Sequence, residues 1–221
     1  MRELATVLTA ALARAVGVRD AVADLIVPVG NPETAFGSVL EGNPLGEEWI
    51  AAIDVPGPLL IAYSGTLASD LFDNDPRTWM GPGLEAFNGL CDAIGPALKA
   101  LDRRLLFRPH ARHVLSDPQS CVNFLRDRAA EPFGIAVSPC DFFVRDMVDA
   151  KADHFTRIAE SVVPKAELFF LEDKRVGEGD VLESCPLGEG ILPRSIVETI
   201  PDDIPIVVMP HDVDAARTWF V

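Results

Sequence analysis

Residues 167–175 read ELFFLEDKR, in which an unbroken apolar run is followed directly by four charged side chains. The run lacks an alternation of apolar and polar residues, as is typical of a strand buried on both faces in a parallel sheet. Similar short apolar runs, each ending in polar residues, Gly or Pro, lie at 23–29, 58–64, 104–107, 134–137 and 204–209. Together with residues 167–171, these runs predict six buried strands.

Segments with helical periodicity lie before and between these strands. The predicted helices cover 3–16, 45–53, 84–101, 118–130, 153–163 and 193–200. Asp117 is expected to cap the fourth of these helices, with Pro118 at its first position, where a missing N–H costs nothing. Asp153 is a candidate cap for the fifth.

Breaks and loops interrupt the pattern at three places. Gly95-Pro96 predicts a kink or break in the helix over 84–101, because proline cannot donate a helical hydrogen bond. Residues 66–83 and 173–190 are rich in Gly and acidic residues and predict long loops, although a seventh strand is possible within 176–187.

The alternation of strands and helices predicts a parallel sheet with helices outside it. We therefore expect one α/β domain over residues 1–221, a short (β/α) barrel of the TIM type. Eight strands close such a barrel. Because the chain opens in a predicted helix, this prediction identifies no first barrel strand. An open doubly wound sheet is the competing architecture.

The composition argues against several classes of partner. The chain has 221 residues, 48% of them apolar, and its formal net charge is -15. Such a charge disfavours nucleic acid and anionic membranes as partners, since both need a basic face. The four cysteines form no CxxC pair, and no secretory signal or membrane span is expected. We therefore expect a cytoplasmic protein with a small-molecule ligand, and leave its oligomeric state open.

Polar residues directly after the predicted strands are the candidate site, because parallel architectures bind ligands at the carboxyl ends of their strands. His110, Asp141 and Asp173 are candidate catalytic residues, since imidazole and carboxylate groups transfer protons. The candidates for substrate binding are Arg108, His113, Glu189 and His211. The alternative for each is a local role in a loop, a turn or an ion pair. Lys174 or Arg175, for example, would pair with Asp173.

Common catalytic motifs are absent from the sequence. There is no GxSxG, HExxH or GxxxxGK[ST] segment, and no GxGxxG follows a strand. A serine hydrolase, a zinc protease of the HExxH type and a nucleotide-binding loop are therefore unsupported.

Five short segments carry a family resemblance: Arg108-Pro109-His110, Ser138-Pro139-Cys140-Asp141, Phe170-Leu171-Glu172-Asp173, Leu187-Gly188-Glu189-Gly190 and Val208-Met209-Pro210. In order and spacing they resemble the Glu-x-His, Asp-x-x-His, His-x-x-Asp, Gly-Glu-Gly and final Glu segments of the xylose isomerase-like TIM barrels. That family includes sugar phosphate isomerases and epimerases and apurinic endonuclease relatives. The resemblance covers about half the chain, from Leu105 onward, and the N-terminal half agrees only in its strand–helix rhythm.

The resemblance implies a TIM barrel, but it also exposes a difference. Members of the family hold a divalent metal with four residues, and the corresponding positions here are Arg108, Ser138, Phe170 and Met209. None of these offers a hard cation its normal carboxylate or imidazole ligand. We therefore expect neither the family's metal nor any other cofactor.

Three hypotheses about function follow. The first is a divergent sugar phosphate isomerase- or epimerase-like protein that acts on or binds a small sugar-like molecule without the metal. The second is a catalytically inactive barrel that serves as a binding or interaction protein. The third is a metal site rebuilt from His110, Asp141, Asp173 and His211.

Overall fold

The computed structural model describes residues 4–8, 25–28, 36–38, 42–46, 49 and 59–221. Within them, eight strands form a closed barrel: β1 (Leu4–Leu8), β2 (Leu25–Pro28), β3 (Phe36–Ser38), β4 (Leu59–Tyr63), β5 (Arg104–Arg108), β6 (Phe133–Val137), β7 (Leu168–Leu171) and β10 (Ile206–Val208). The order around the barrel is β1-β10-β7-β6-β5-β4-β3-β2. β2 runs antiparallel to both neighbours, and all other neighbouring pairs are parallel. The ring confirms the TIM-type barrel and excludes the open doubly wound sheet.

The beginning of the chain differs from the prediction. The helix expected over 3–16 is wrong for residues 4–8, which form β1, and residues 9–16 lie outside the described part. The first barrel strand is therefore present. β1 pairs with β10 through Leu4 and Ile206 and also pairs with β2, so it closes the ring. Alanine and leucine favour a helix locally, but pairing on both edges satisfies the backbone and overrides that preference.

Four α-helices are described: α1 (Gly81–Ala100), α2 (Pro118–Asp127), α3 (Lys151–Ser161) and α4 (Val213–Trp219). Asp117 caps α2 as predicted, because its Oδ1 accepts the N–H groups of Gln119 and Ser120 at 2.7 and 3.0 Å. The predicted cap at Asp153 is wrong. α3 begins two residues earlier than Asp153, and Asp153 lies in its first turn, where a negative charge suits the helix dipole.

The predicted break at Gly95-Pro96 is also wrong, since α1 runs through both residues. Pro96 lies on the exposed face, as does Asp92, whose carbonyl Pro96 cannot donate to. On the opposite face Ile94 and Leu98 are buried in the core. Burial of that face holds the helix in place despite the missing hydrogen bond.

The region predicted as a loop over 173–190 contains a small antiparallel sheet of β8 (Asp173–Arg175) and β9 (Glu183–Cys185). The strand suspected within 176–187 is therefore β9, but it lies outside the barrel. Of the helix predicted over 45–53, only residues 45, 46 and 49 are described, and Trp49 lies in a 3-10 turn. The helix predicted over 193–200 is the 3-10 helix Arg194–Thr199.

Alternation along the strands divides the core into two layers. One layer fills the barrel and consists of Ala5, Ile61, Leu106, Ala136, Leu168, Phe170 and Val207. The other lies between the barrel and its helices and includes Leu60, Leu105, Ile135 and Phe169. Among the described helices, none has the length and apolar character needed to cross a bilayer. The inner layer matters most for the site, because it fixes which residue at each strand end faces the barrel axis.

Candidate functional site

The inward-facing positions change from apolar to polar at the carboxyl ends of four strands. Tyr63, Arg108, Ser138 and Glu172 each stand two residues beyond a member of the inner core. Side chains alternate along a strand, so all four belong to the inward face. We call this set the strand-end layer. Tyr63, Arg108 and Ser138 are buried, and Glu172 is partly buried.

Arg108 occupies the centre of the strand-end layer and is only 4% exposed. Its Nε donates to Asp141 Oδ2 at 2.6 Å, and its Nη2 donates to Glu172 Oε2 at 2.6 Å. The carbon of the guanidinium lies 4.2 Å from the centroid of the Phe170 ring, within range of a cation–π interaction. The guanidinium therefore bridges the two carboxylates and packs on the Phe170 ring.

Asp141 is fully buried between two cations. Lys174 Nζ lies 2.5 Å from its Oδ1, opposite the bond from Arg108. Burial alone would raise the pKa of Asp141, but the charges of Arg108 and Lys174 outweigh it and hold that pKa below its ordinary value. We call Arg108, Lys174, Asp141 and Glu172 the charge cluster. Its two positive and two negative charges cancel.

The two histidines that follow β5 are buried and neutral. His110 Nδ1 accepts the backbone N–H of Arg112 at 3.1 Å, so in the neutral ring the proton is on Nε2. His113 Nε2 donates to the Leu71 carbonyl at 2.7 Å. Burial lowers the pKa of His110 well below its ordinary value and that of His113 to about 4. Both rings pack around Tyr63, at centroid distances of 6.0 and 4.8 Å.

Several buried polar atoms at this end of the barrel have no hydrogen-bond partner among the described residues. Asp141 Oδ1 faces the Lys174 ammonium and Arg112 Nε belongs to a guanidinium that is ion-paired, whereas Ser138 Oγ and His113 Nδ1 lie in uncharged side chains. Both side chains are completely buried. Unpartnered buried groups are rare in folded proteins, because desolvation is then uncompensated.

Asp173 lies beside the charge cluster but serves the backbone. Its carboxylate accepts four N–H groups at 2.8 to 3.0 Å, those of Lys174, Gly188, Gly190 and Leu192. These bonds fasten the loop over 186–192 to β8. Gly190 is required there, because a Cβ would overlap the Lys174 carbonyl and the Asp173 carboxylate. The contacts assign Asp173 a place in the scaffold, and its predicted catalytic role stays a prediction.

Glu189 and His211 are not brought to the charge cluster. Glu189 is exposed in the turn after Pro186, and His211 is exposed in the 3-10 turn Pro210–Asp212. His211 Nε2 lies 3.5 Å from Asp212 Oδ2. Among the described residues, neither side chain has a hydrogen bond or ion pair with the cluster. The substrate-binding roles predicted for both stay predictions.

The structure thus brings together Arg108, His110, His113 and Asp141 from the candidate set. It adds Tyr63, Glu172 and Lys174, which sequence reasoning did not select for the site. A signal for Glu172 was available, since it stands two residues after Phe170 and therefore shares its face. Lys174 was expected as a possible partner of Asp173, but its ammonium pairs with Asp141, and its position in the β8–β9 sheet is not predicted by the sequence.

The donor set does not fit the metal implied by the resemblance. Arg108 places a permanent positive charge at the first ligand position, and its two carboxylate neighbours are bound to it. In the described part of the chain, no group of three His, Cys, Asp or Glu side chains is arranged to hold a metal ion. The rearranged set of the third hypothesis is likewise not assembled, because Asp173 binds the backbone and His211 is exposed.

Comparisons with known proteins address the fold. No protein-family model matches the chain, and no curated protein matches it in sequence. Solved structures do match it. The probable 3-DHS dehydratase AsbF involved in petrobactin synthesis from Bacillus anthracis aligns over 82% of this chain and 72% of its own, with TM-score 0.56 and 10% identity.

Two further structures have similar scores. A xylose isomerase domain protein from Planctomyces limnophilus aligns over 73% of this chain and 55% of its own, with TM-score 0.53 and 10% identity. Endonuclease IV from Thermus thermophilus aligns over 84% of this chain and 76% of its own, with TM-score 0.53 and 12% identity. At these identities the likeness shows the fold alone. The chain has the fold of the xylose isomerase-like TIM barrels, as the resemblance implied.

Proposed function

We propose that this chain binds a small sugar-like molecule at the strand-end layer and does so without a divalent metal. The observation that carries the proposal is the strand-end layer itself, in which polar side chains replace the apolar lining of the barrel at the end where parallel barrels bind ligands. Ser138 Oγ and His113 Nδ1 are buried at this layer without a partner, at a cost of about 1–3 kcal/mol each, which a sugar would recover if its binding opened the layer to its hydroxyls. The sugar class itself is an analogy from the fold, which the chain shares with the xylose isomerase domain protein.

The charge cluster supports a site that does not depend on metal. In the resembling family a dication lies among acidic ligands at these strand ends. Here the Arg108 guanidinium lies among acidic groups, bound to Asp141 and Glu172. Binding a dication beside Arg108 would bring like charges together in a buried place. The residues present therefore favour ligand recognition by hydrogen bonds.

The same electrostatics favour binding over catalysis. An isomerase or epimerase transfers a proton at carbon, and an efficient general base has a pKa near the working pH. The pKa of Asp141 lies below its ordinary value, so its carboxylate is a weak base. In His110, Nδ1 already accepts the Arg112 N–H, which leaves Nε2 as a hydrogen-bond donor. The second candidate, an inactive barrel serving as a binding or interaction protein, is favoured by this observation.

The experiment that tests binding is a ligand screen on purified protein in EDTA. We expect one or more monosaccharides to raise the melting temperature and to give saturable heats in calorimetry, with no change on addition of Mn²⁺ or Mg²⁺. Binding that appears only with the cation would overturn the metal-free proposal. No binding by any sugar would overturn the sugar-like ligand.

A matched pair of serine variants locates the site. Ser138→Ala removes a buried hydroxyl without a partner, so the free protein should keep or gain stability while sugar affinity falls by about tenfold. Ser184→Ala, on the exposed face of β9, should change neither quantity. Equal affinities of both variants for the sugar would place the ligand elsewhere.

Proton transfer is tested separately with the bound sugar in D₂O. An isomerase or epimerase would exchange deuterium into the carbon beside the carbonyl, which proton NMR detects as a loss of signal. Saturable binding with no exchange over a day would favour the inactive barrel. Exchange that is lost in His110→Gln would instead establish the isomerase- or epimerase-like activity.

A further inference from the structure

We propose that the groove between α1 and α2 is a docking site for a segment of another protein that combines apolar side chains with Lys or Arg. The groove is lined by residues of these two helices and of the turns that precede them. None of its described lining residues belongs to the strand-end layer or to the charge cluster. The inference therefore goes beyond the proposed function and does not depend on it.

The groove contains a cavity of about 340 Å³ with an apolar floor. Residues that recur at the spacing of one helical face form its α2 wall: Ser120, Asn123, Phe124 and Asp127. This wall is about 10 Å long, since a helix rises about 1.5 Å per residue. The buried side chains of the floor are Phe87, Val114, Leu115 and Phe124. The size and the lining suit an apolar anchor from a partner.

Three large apolar side chains beside the cavity are open to solvent, and we call them the apolar patch. Trp79, Met80 and Leu84 are 41%, 61% and 54% exposed. Trp79 and Leu84 line the cavity, and Met80 lies one turn before Leu84, because its carbonyl accepts the Leu84 N–H at 3.1 Å. Contiguous exposed apolar surface of this kind is typical of an interaction site. A small ligand inside the cavity would leave Met80 uncovered, so the patch favours a protein partner.

The apolar patch is held in place before any partner binds. Thr78, in the 3-10 helix Pro76–Trp79, is buried, and its hydroxyl bonds to that of Thr66 at 3.0 Å and accepts the Leu67 N–H at 3.0 Å. Gly83 lets α1 lie close to this helix, because a Cβ there would overlap the Thr78 carbonyl. A surface that is already ordered loses little conformational entropy on association.

The charges in and beside the groove are acidic in sum. Six of these side chains are negative and three are positive, which leaves a net charge of -3: Asp75, Arg77, Glu85, Asp92, Asp117, Arg126, Asp127, Arg128 and Glu131. All three arginines are ion-paired within this set, Arg128 with two carboxylates. Glu85, which directly follows Leu84, is exposed and has no ion pair among the described residues.

Charge complementarity therefore selects a basic partner. The formal net charge of -15 attracts such a partner from a distance and raises its association rate. A second copy of this chain would bring like charges together at the groove, so the same argument opposes a dimer through this face. The occupant that fits both the apolar patch and the acidic groups is a segment with apolar side chains flanked by Lys or Arg.

Titration of the full chain with three synthetic peptides tests the proposal. The probe is a short amphipathic peptide of Lys and Leu, and the comparison peptides have Glu in place of Lys or Ser in place of Leu. Trp79 is partly exposed, so its fluorescence should shift to shorter wavelength as the probe covers it, and calorimetry gives the affinities. We expect the Lys–Leu peptide to bind at least about tenfold more tightly than either comparison peptide.

Each other result would overturn part of the inference. Equal binding of the Glu–Leu peptide would refute the charge argument, and equal binding of the Lys–Ser peptide would refute the role of the apolar patch. A Lys–Leu peptide that does not bind would refute the docking site. None of these results bears on sugar binding at the strand ends, which is measured separately.

Matched leucine variants locate the bound peptide. Leu84→Ala and Leu101→Ala each shorten a leucine that is more than half exposed, one in the first turn of α1 and one directly after its last residue. Leu84→Ala should lower the affinity for the Lys–Leu peptide by about tenfold, whereas Leu101→Ala should not change it. Equal affinities of the two variants would place the peptide elsewhere.

A matched pair of glutamate variants tests the electrostatic cause. Glu85→Gln should weaken peptide binding by about threefold at low salt, and Glu160→Gln, which removes an exposed charge from α3, should leave it unchanged. Equal effects of the two would show that only the overall charge of the chain matters. Sedimentation of the free protein checks the other occupant: a dimer that is lost in Leu84→Ala would assign the groove to a second copy and overturn the proposal.

Discussion

Replacing Arg108 with Met should destabilise the protein strongly. Methionine has a similar length and packs well on aromatic rings, so the contact with Phe170 is largely kept. What is lost is the charge that compensates Asp141 and Glu172. Removing one partner of a buried ion pair costs about 3–5 kcal/mol, because the other charge stays in the interior uncompensated. Asp141 keeps Lys174, so we expect a loss of about 3–4 kcal/mol in the free energy of unfolding.

The measurement is urea unfolding, followed by circular dichroism, with the slope of the transition as a check on cooperativity. Arg104→Met is the matched control, because Arg104 also binds a glutamate, Glu167, but both side chains are 40% exposed or more. Exposed ion pairs contribute about 0–1 kcal/mol, so the control should unfold close to wild type.

Neutralising Glu172 tests the cause of the loss. Adding Glu172→Gln to Arg108→Met removes the carboxylate that has lost its partner, while Asp141 keeps Lys174, so the double variant should recover much of the stability. A loss below about 1 kcal/mol in Arg108→Met would refute the argument. So would a double variant no more stable than the single one.

Three further outcomes are expected. Asp173→Asn replaces one of the two accepting carboxylate oxygens with an NH₂ donor, so it should cost about 2–4 kcal/mol and speed hydrogen exchange in the loop over 186–192. Gly190→Ala should lower the melting temperature by several degrees, whereas Gly89→Ala, at an exposed position of α1 with open space around it, should raise it slightly. His113 has a pKa of about 4 in the folded protein and about 6.5 when unfolded, so the unfolded chain binds the proton first on acidification. The free energy of unfolding should therefore fall from about pH 6.5 to about pH 4, by up to roughly 3 kcal/mol more in wild type than in His113→Gln.

The later strands were predictable because their signal is local. A strand of a parallel barrel is covered on both faces, so β5, β6 and β7 appear in the sequence as continuous apolar runs. The first strand had no such signal. β1 is a strand because β10 and β2 flank it. β10 (Ile206–Val208) lies near the other end of the chain, and β2 begins only at Leu25. No window of local sequence contains that information.

The candidate site likewise contains residues that the sequence predicts and residues that it does not. Arg108 and His110 follow a strong strand signal, and the rule of strand ends placed them correctly beside Asp141. Glu172 and Asp173 are neighbours, and the sequence does not say which of them faces the barrel. The structure directs Glu172 to Arg108, while Asp173 binds N–H groups that lie 15 to 19 residues further along the chain. The loop over 186–192 supplies the N–H groups that bind Asp173, and no pattern in the local sequence predicts the path of that loop.

The departures from the family pattern become coherent once they are considered as a set. Phe170 is a poor ligand for a hydrated dication, but its ring lies 4.2 Å from the guanidinium of Arg108. A guanidinium is weakly hydrated and stacks on aromatic faces, so Arg108 and Phe170 interact favourably. Neither side chain is a suitable ligand for a metal ion. Ser138, at another of the four ligand positions, adds a neutral hydroxyl and no charge. Loss of the metal alone would leave the buried carboxylates uncompensated, whereas an arginine on an aromatic ring compensates them. The strand ends therefore form an organised polar site with an internal cation of its own.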